Sequence, residues 1–369
     1  MTSSLHILHV VGARPNFMKI APLMRALAAY PNRARQTLVH TGQHYDENMS
    51  KIFFEELELP RPDINLGVGS GSHTQQTAHV MLQFEEVLKQ QQPDWVVVVG
   101  DVNSTLACSL VCSKLGTRLA HVEAGLRSWD RTMPEEINRL LTDQISDLLF
   151  THSPEAEPNL QREGIAAEKI HFVGNVMIDT LIRLLPKART RWSDLRTRLN
   201  LPERFILATL HRPVNVDHPE TLAEILAALN ELSSDAPVIF PVHPRTRNRM
   251  AAHGMQTAPA VHLLEPQGYL DFLSLQTQAA LVLTDSGGVQ EETTYLGIPC
   301  LTARPNTERP VTITVGTNRL LPSRRADLVA AARPILRGET HISGRIPDLW
   351  DGHAAERIAQ ILLNTAPAV

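Results

Sequence analysis

Cysteine is scarce in this chain of 369 residues: Cys108, Cys112 and Cys300 are the full complement, and no two of them form a CxxC pair. An odd, sparse count excludes a disulfide-built scaffold and reads as reduced thiols in the cytoplasm. Long apolar runs are missing as well; none approaches the roughly 20 residues needed to span a bilayer. The N-terminal MTSSLHILHVVGARP has no basic leader and runs straight into a strand-like segment, so it does not read as a signal peptide. Positive charge is not in excess, the formal net charge being −4. That argues against nucleic acid or an anionic membrane surface as a partner, though not against a phosphate held by a few placed donors. The first apolar run is followed by Gly12-Ala13-Arg14-Pro15-Asn16-Phe17 rather than GxGxxG, so no nicotinamide cofactor is expected. His40, His44, His121 and His243 carry no zinc-type signature, and no metal is expected either.

What is present is an alternation of short β-rich runs and longer helical ones. Leu5–Val11, Trp95–Val99, Arg118–Val122 and Asp147–Thr151 read as strands in the first half. Phe205–Leu210, Val238–Val242 and Ala280–Thr284 do so in the second. Continuous apolar runs such as Trp95–Val99 suit strands buried on both faces. Helices fall between them, near 104–115, from Pro134, near 269–277 and over Gly287–Leu296. The pattern predicts an α/β protein with two doubly wound parallel sheets, and a chain this long divides into two domains. The boundaries expected are 1–180, completed by a C-terminal helix within 352–369, and 181–351. A linker is expected near Asn175–Ser193, where the strand pattern lapses.

Ligands of such sheets bind at the carboxyl ends of the strands, which directs attention to the residues just after each one. Asp285-Ser286-Gly287-Gly288 lies between a strand and a helix, where backbone N–H groups and the helix dipole favour a phosphate. The same residues also make an ordinary tight turn with a serine N-cap. Glu292, one turn further on, is a carboxylate for ribose hydroxyls or simply a solvated helix charge. Arg309, in a proline-bounded loop, suits a diphosphate or a surface ion pair. Arg14 and Lys19 flank the first helix N-terminus as a second cationic pair. Asp101, Glu123, Glu135 and His211 are candidates for acid–base chemistry, against the plainer roles of cap, salt bridge and loop histidine. The site is expected in the cleft between the halves.

Nine segments sharpen this reading: Gly12-Ala13-Arg14-Pro15 through Lys19, Thr41-Gly42-Gln43-His44, Gly100-Asp101, Glu123-Ala124-Gly125-Leu126-Arg127, Pro134-Glu135-Glu136-Ile137-Asn138-Arg139, Val173-Gly174-Asn175, Glu265-Pro266-Gln267, Asp285 through Glu292, and Thr307-Glu308-Arg309-Pro310. In that order, over about residues 7–320, they resemble the non-hydrolysing UDP-N-acetylglucosamine 2-epimerase family. The resemblance implies the glycosyltransferase-B architecture, two Rossmann-like domains facing across a cleft, and a homodimer. It implies that Ser286, Gly287 and Gly288 bind the diphosphate with Arg14 and Arg309 near it, that Glu292 holds the ribose, and that Gln267 and Phe272 lie around the uracil. Asp101, Glu123, Glu135 and His211 match the family's acid–base residues, and Gln43 and His44 match a regulatory UDP-sugar site of some bacterial members.

The reaction implied expels UDP from C1 as the C2 proton leaves, giving a 2-acetamidoglucal that is reprotonated from the other face. Two departures bear on substrate and regulation. Pro213-Val214-Asn215 follows His211-Arg212 where many members carry an acid, and Tyr45 through Met49 differ from the regulated enzymes. A UDP-diacetamido uronic acid is therefore the alternative substrate, and a UDP-sugar-binding regulator without catalysis is the alternative class.

Overall fold

A computed structural model describes residues 4–42 and 56–365 of the chain, the Arg14 side chain excepted. The chain divides into two compact units, Met1–Thr180 with Asp348–Val369, and Leu181–Pro347.

The first unit runs β1 (Leu5–Val11), α1 (Arg14–Ala28), β2 (Ala34–His40), β3 (Ile64–Asn65), α2 (His73–Gln91), β4 (Trp95–Val99), α3 (Asn103–Leu115), β5 (Leu119–Val122), α4 (Pro134–Gln144), β6 (Leu148–Thr151), α5 (Ala156–Arg162) and β7 (Ile170–Phe172). Its seven strands pair in parallel in the order β3-β2-β1-β4-β5-β6-β7. β4 is buried along its whole length, which is why Trp95-Val96-Val97-Val98-Val99 shows no polar alternation. α4 opens with Pro134 and two acids, the pattern that a helix N-terminus favours.

The second unit takes the rest of α6 (Val176–Thr190), then α7 (Trp192–Leu199), β8 (Ile206–Thr209), α8 (Pro213–Val216), α9 (Pro219–Leu232), β9 (Val238–Pro241), α10 (Pro244–Ala252), β10 (Val261–Leu264), α11 (Tyr269–Gln278), β11 (Leu281–Thr284), α12 (Gly287–Leu296), β12 (Cys300–Ala303), α13 (Val311–Thr314), β13 (Asn318–Leu321) and α14 (Arg325–Leu336). Its sheet is also parallel, in the order β10-β9-β8-β11-β12-β13. Alternate residues of β8 serve opposite cores. Ile206 and Ala208 pack with Leu222, Ile225 and Leu229 of α9, while Leu207 packs with Leu195 of α7 and Leu275 of α11. Both faces of the sheet are therefore covered, as in a doubly wound fold.

Each sheet reverses its strand order once, between β1 and β4 and between β8 and β11. The strand ends beside such a reversal leave a crevice for a ligand. Gly12, Gly100-Asp101, His211 and Asp285-Ser286 lie just beyond those strand ends.

The stretch Asn175–Ser193, where a linker is expected, holds the boundary between the two units, after Thr180. It is largely the helix α6, with Ile178, Leu181, Leu184 and Ala188 fully buried at helical spacing. The connection there is helical, which is why the strand pattern lapses.

The last helix, α15 (Ala354–Asn364), belongs to the first unit and packs on α1. Its buried face is Ala354, Ala355, Ile358, Ala359, Leu362 and Leu363. Asp179 caps it, accepting from the backbone N–H groups of Ala354 at 3.2 Å and Ala355 at 2.7 Å. Trp350, just before it, is fully buried and donates its indole N–H to the His152 carbonyl at 2.9 Å. No helix among the described residues is long and apolar enough to cross a membrane.

Candidate active site

In the first unit, adjacent strands β4 and β5 each end in a residue with positive φ, Gly100 at 70° and Glu123 at 73°. For a glutamate that conformation is strained and is held by its surroundings. Its amide donates to the Phe150 carbonyl at 3.0 Å, and its buried carboxylate is ion-paired with the Lys19 ammonium of α1. Gly100 is required at its place: a Cβ there would lie 2.9 Å from Lys19 Nζ and 3.4 Å from Glu123 Oε2. Asp101, next in the chain, keeps a partly open carboxylate that receives Arg139 Nη2 of α4 at 2.6 Å. Asn138 of the same helix donates to the Asp101 carbonyl at 2.9 Å.

α4 carries neighbouring glutamates with different surroundings. Glu136 is buried and accepts from the Ser128 amide and hydroxyl at 2.9 and 2.8 Å, the Trp129 amide at 3.0 Å and Arg139 Nη1 at 2.9 Å. It fixes the loop between β5 and α4. Glu135, half-buried on the first turn, makes no ion pair among the described residues. Asp101 and Glu123 thus stand at neighbouring strand ends, each with its own cation, and Glu135 follows on the helix after β5.

Lys19 is placed differently from the expectation. It lies more than a turn into α1, buried against Glu123, rather than flanking the helix N-terminus. Asn16 occupies that N-terminus, its Oδ1 accepting from the Gly12 amide at 3.1 Å and the Ala13 amide at 2.9 Å while its Nδ2 donates to the Val99 carbonyl at 2.9 Å. Arg14 is the first residue of α1, with its side chain outside what the structure describes. Gln43 and His44 lie outside the described residues.

In the second unit, Ser286 stands at the N-cap of α12 without a side-chain capping bond, and Gly287 and Gly288 form the first turn. Arg309 lies across that turn: a Cβ on Gly287 would come within 2.6 Å of Arg309 Nη1. The guanidinium is buried and set by Glu291, its Nε donating to Glu291 Oε1 at 2.7 Å. Glu308 takes Arg304 at 2.8 Å and Arg212 at 3.3 Å. Arg304, Arg309 and Arg212 thus gather around Glu291 and Glu308. A helix N-terminus with bare backbone at Gly287, faced by an arginine, is a chemical match for a diphosphate.

Glu292 is buried, contrary to a solvated helix charge. Tyr269 Oη donates to it at 2.9 Å and Gln276 Nε2 at 2.5 Å. Burial pushes its pKa up to about 7, the amide and phenol donors oppose the rise, and neighbouring Glu291 adds to it. Gln267, half-buried, donates to the Glu265 carbonyl at 2.6 Å, and Phe272 packs at the margin of the α7–α11 core.

His211 emerges two residues after β8, and Asp285 one after β11. The β8–β11 register, with Thr209 opposite Thr284, brings them together. Asp285 accepts from the His211 amide at 3.1 Å, the Arg212 amide at 2.9 Å and Asn215 Nδ2 at 3.0 Å, and lies 3.1 Å from His211 Nδ1. Burial pushes the Asp285 carboxyl up, but the His211 ring and the other donors outweigh it and hold the pKa below its ordinary value. Nδ1 is held by an aspartate, which leaves Nε2 as the other end of a half-exposed imidazole. Asp285, Arg139, Glu136 and Glu291 are the site's supporting residues that sequence reasoning did not single out as site members. Asp285 had one signal, its place one residue beyond a strand adjacent to the strand of His211.

Comparison with known proteins bears on this geometry. A family model described as UDP-N-acetylglucosamine 2-epimerase matches residues 26–363. A UDP-N-acetylglucosamine 2-epimerase of Methanocaldococcus jannaschii is 44% identical over 362 residues, 96% of this chain and 97% of that protein. The UDP-2,3-diacetamido-2,3-dideoxy-D-glucuronate 2-epimerase of Pseudomonas aeruginosa is 42% identical over 361 residues, covering 97% and 99% of the two chains. Among solved structures, the M. jannaschii UDP-GlcNAc 2-epimerase in complex with UDP-GlcNAc and UDP matches with a TM-score of 0.90 at 44% identity, over 97% of this chain and 99% of that one.

Proposed function

The chain belongs to the UDP-N-acetylglucosamine 2-epimerase family, and from that premise we propose that it interconverts UDP-N-acetylglucosamine and UDP-N-acetylmannosamine by inversion at C2. The observation that carries this reading is the pair of acids at the ends of β4 and β5, Asp101 and Glu123, each held by a cation. A C2 hydrogen on a pyranose is barely acidic. Its removal becomes feasible when UDP departs from C1 in the same step, leaving a 2-acetamidoglucal. Return of a proton to the opposite face of C2, with UDP re-adding at C1, completes the inversion.

The parts serve that sequence as follows. Charge that develops on the leaving diphosphate is met by the α12 N-terminus and Arg309. Ser286, Gly287 and Gly288 bind the phosphates with Arg14, Glu292 takes the ribose, and Gln267 and Phe272 adjoin the uracil. Asp101, Glu123, Glu135 and His211 supply and accept protons at C2. Lys19 acts through Glu123, fixing its orientation. The same reading carries a homodimer in the cytoplasm, where its three buried free thiols stay reduced.

A UDP-2,3-diacetamido-uronate substrate is the second reading, favoured by the P. aeruginosa relative and by the uncharged, exposed Val214 where many family members carry an acid. Incubation of the pure protein in heavy water with each UDP-sugar, followed by proton NMR, tests both. The expected result is the UDP-N-acetylmannosamine epimer, with deuterium at C2 of both epimers. Turnover of the diacetamido uronate alone transfers the assignment to the second reading. Epimer without deuterium rules out the elimination route, and UDP binding without turnover of either sugar leaves a regulator.

A further inference from the structure

A buried polar cluster behind Asp101 and Glu123 has no part in the roles above. His121, on β5, is fully buried. Its Nδ1 lies 2.7 Å from Asp143 Oδ1 of α4, and its Nε2 lies 2.8 Å from the Gly100 carbonyl oxygen. Both partners are acceptors. The ring thus bridges α4 and the residue that follows β4.

Asp143 also receives Arg127 Nη2 at 2.8 Å, and Arg127 is paired with Glu163 at 2.5 Å. The Asp143 carboxyl is pushed up by burial, yet His121 and Arg127 hold it below its ordinary value.

The pair also touches both candidate acids through the backbone. Gly100, whose carbonyl His121 holds, precedes Asp101 and stands beside the Lys19–Glu123 ion pair, where an added Cβ would lie 2.9 Å from Lys19 Nζ. The Gly125 amide, two residues past Glu123, donates to Asp143 Oδ2 at 3.1 Å. Asp143 and His121 therefore tie together the loops that carry Asp101 and Glu123.

We propose that His121, together with Asp143, acts as a positioning residue, setting the backbone that presents Asp101 and Glu123 for proton transfer. This rests on the epimerase reading. The test measures kcat, KM and calorimetric UDP affinity for His121→Gln and Asp143→Asn beside the wild type.

In both Asp143→Asn and His121→Gln, kcat should fall about 100-fold, the scale of a misplaced catalytic group, with KM and UDP affinity little changed. Near-normal kcat in both variants overturns the positioning role, and so does a loss of UDP affinity that matches the loss of kcat. If Asp143→Asn does not fold, His121→Gln still decides the role. A wild-type protein inert to both UDP-sugars counts against the epimerase reading instead.

Discussion

Asp101→Asn keeps the shape and hydrogen-bonding capacity of the side chain and removes its charge. If Asp101 moves a proton at C2, kcat should fall about 10²–10⁴-fold, the usual worth of such a group, while UDP affinity changes little. Arg309→Ala should weaken UDP binding by about 2 kcal/mol or more, as loss of a charge-assisted bond to phosphate does. Glu291 and Glu308 would then be left without one of their cations, adding to the cost. Calorimetric UDP binding beside kcat for both variants checks the division. An Asp101→Asn protein that loses UDP as badly as Arg309→Ala would show that the residues do not divide in this way. At this scale the sequence is informative about first contacts and poor on their supports. Asp101, Glu123, Ser286 and Gly287 announce themselves by standing at strand ends. Arg139 lies 38 positions from Asp101, and Asp143 lies 22 from His121. Only the parallel pairing of β4, β5 and their helices makes such separations short.

Among the elements, α15 offers a pH-dependent test through its cap. Asp179 has its pKa raised from 3.8 to about 6: burial drives the rise, the Ala355 and Ala354 amides oppose it, and Asp351 adds to it. Between about pH 4 and 6 the folded protein therefore holds more of this proton than the unfolded chain does. Stability from this group falls as pH rises through that window and does not fall further above it. Asp179→Asn keeps an oxygen for the helix N-terminus and carries no charge. The melting temperature of the variant, relative to wild type, should rise between pH 4 and pH 7. A difference that stays constant across that range would place the cause outside Asp179 ionisation. Element recognition succeeded where one period dominates. β4 is apolar throughout and reads directly, whereas α6, the helix that joins the units, shows in the sequence only as a lapse of the strand pattern.

For the molecule as a whole, the first unit is assembled from two separated stretches of chain. Ending the protein at Pro347 removes Trp350, Ile358, Leu362 and Leu363 from burial. At about 1.5–3 kcal/mol per large apolar side chain, the loss is on the order of 10 kcal/mol, comparable to the whole stability of a typical domain. The truncated protein should lose turnover while the second unit, which ends at Pro347 and is kept whole, still binds UDP calorimetrically. Loss of UDP binding together with turnover would show that the second unit depends on the first.

That discontinuity also imposes an order of events during synthesis. The strands and helices of Met1–Thr180 leave the ribosome first, but α1 must wait for a helix that comes more than 300 residues later in the chain. At the usual 5–20 residues per second the delay is about 20–70 s. The second unit can close its core within that interval, so the later part of the chain is complete before the earlier part. Until then α1 lacks the helix that covers it, an opening suited to a chaperone that binds nascent chains.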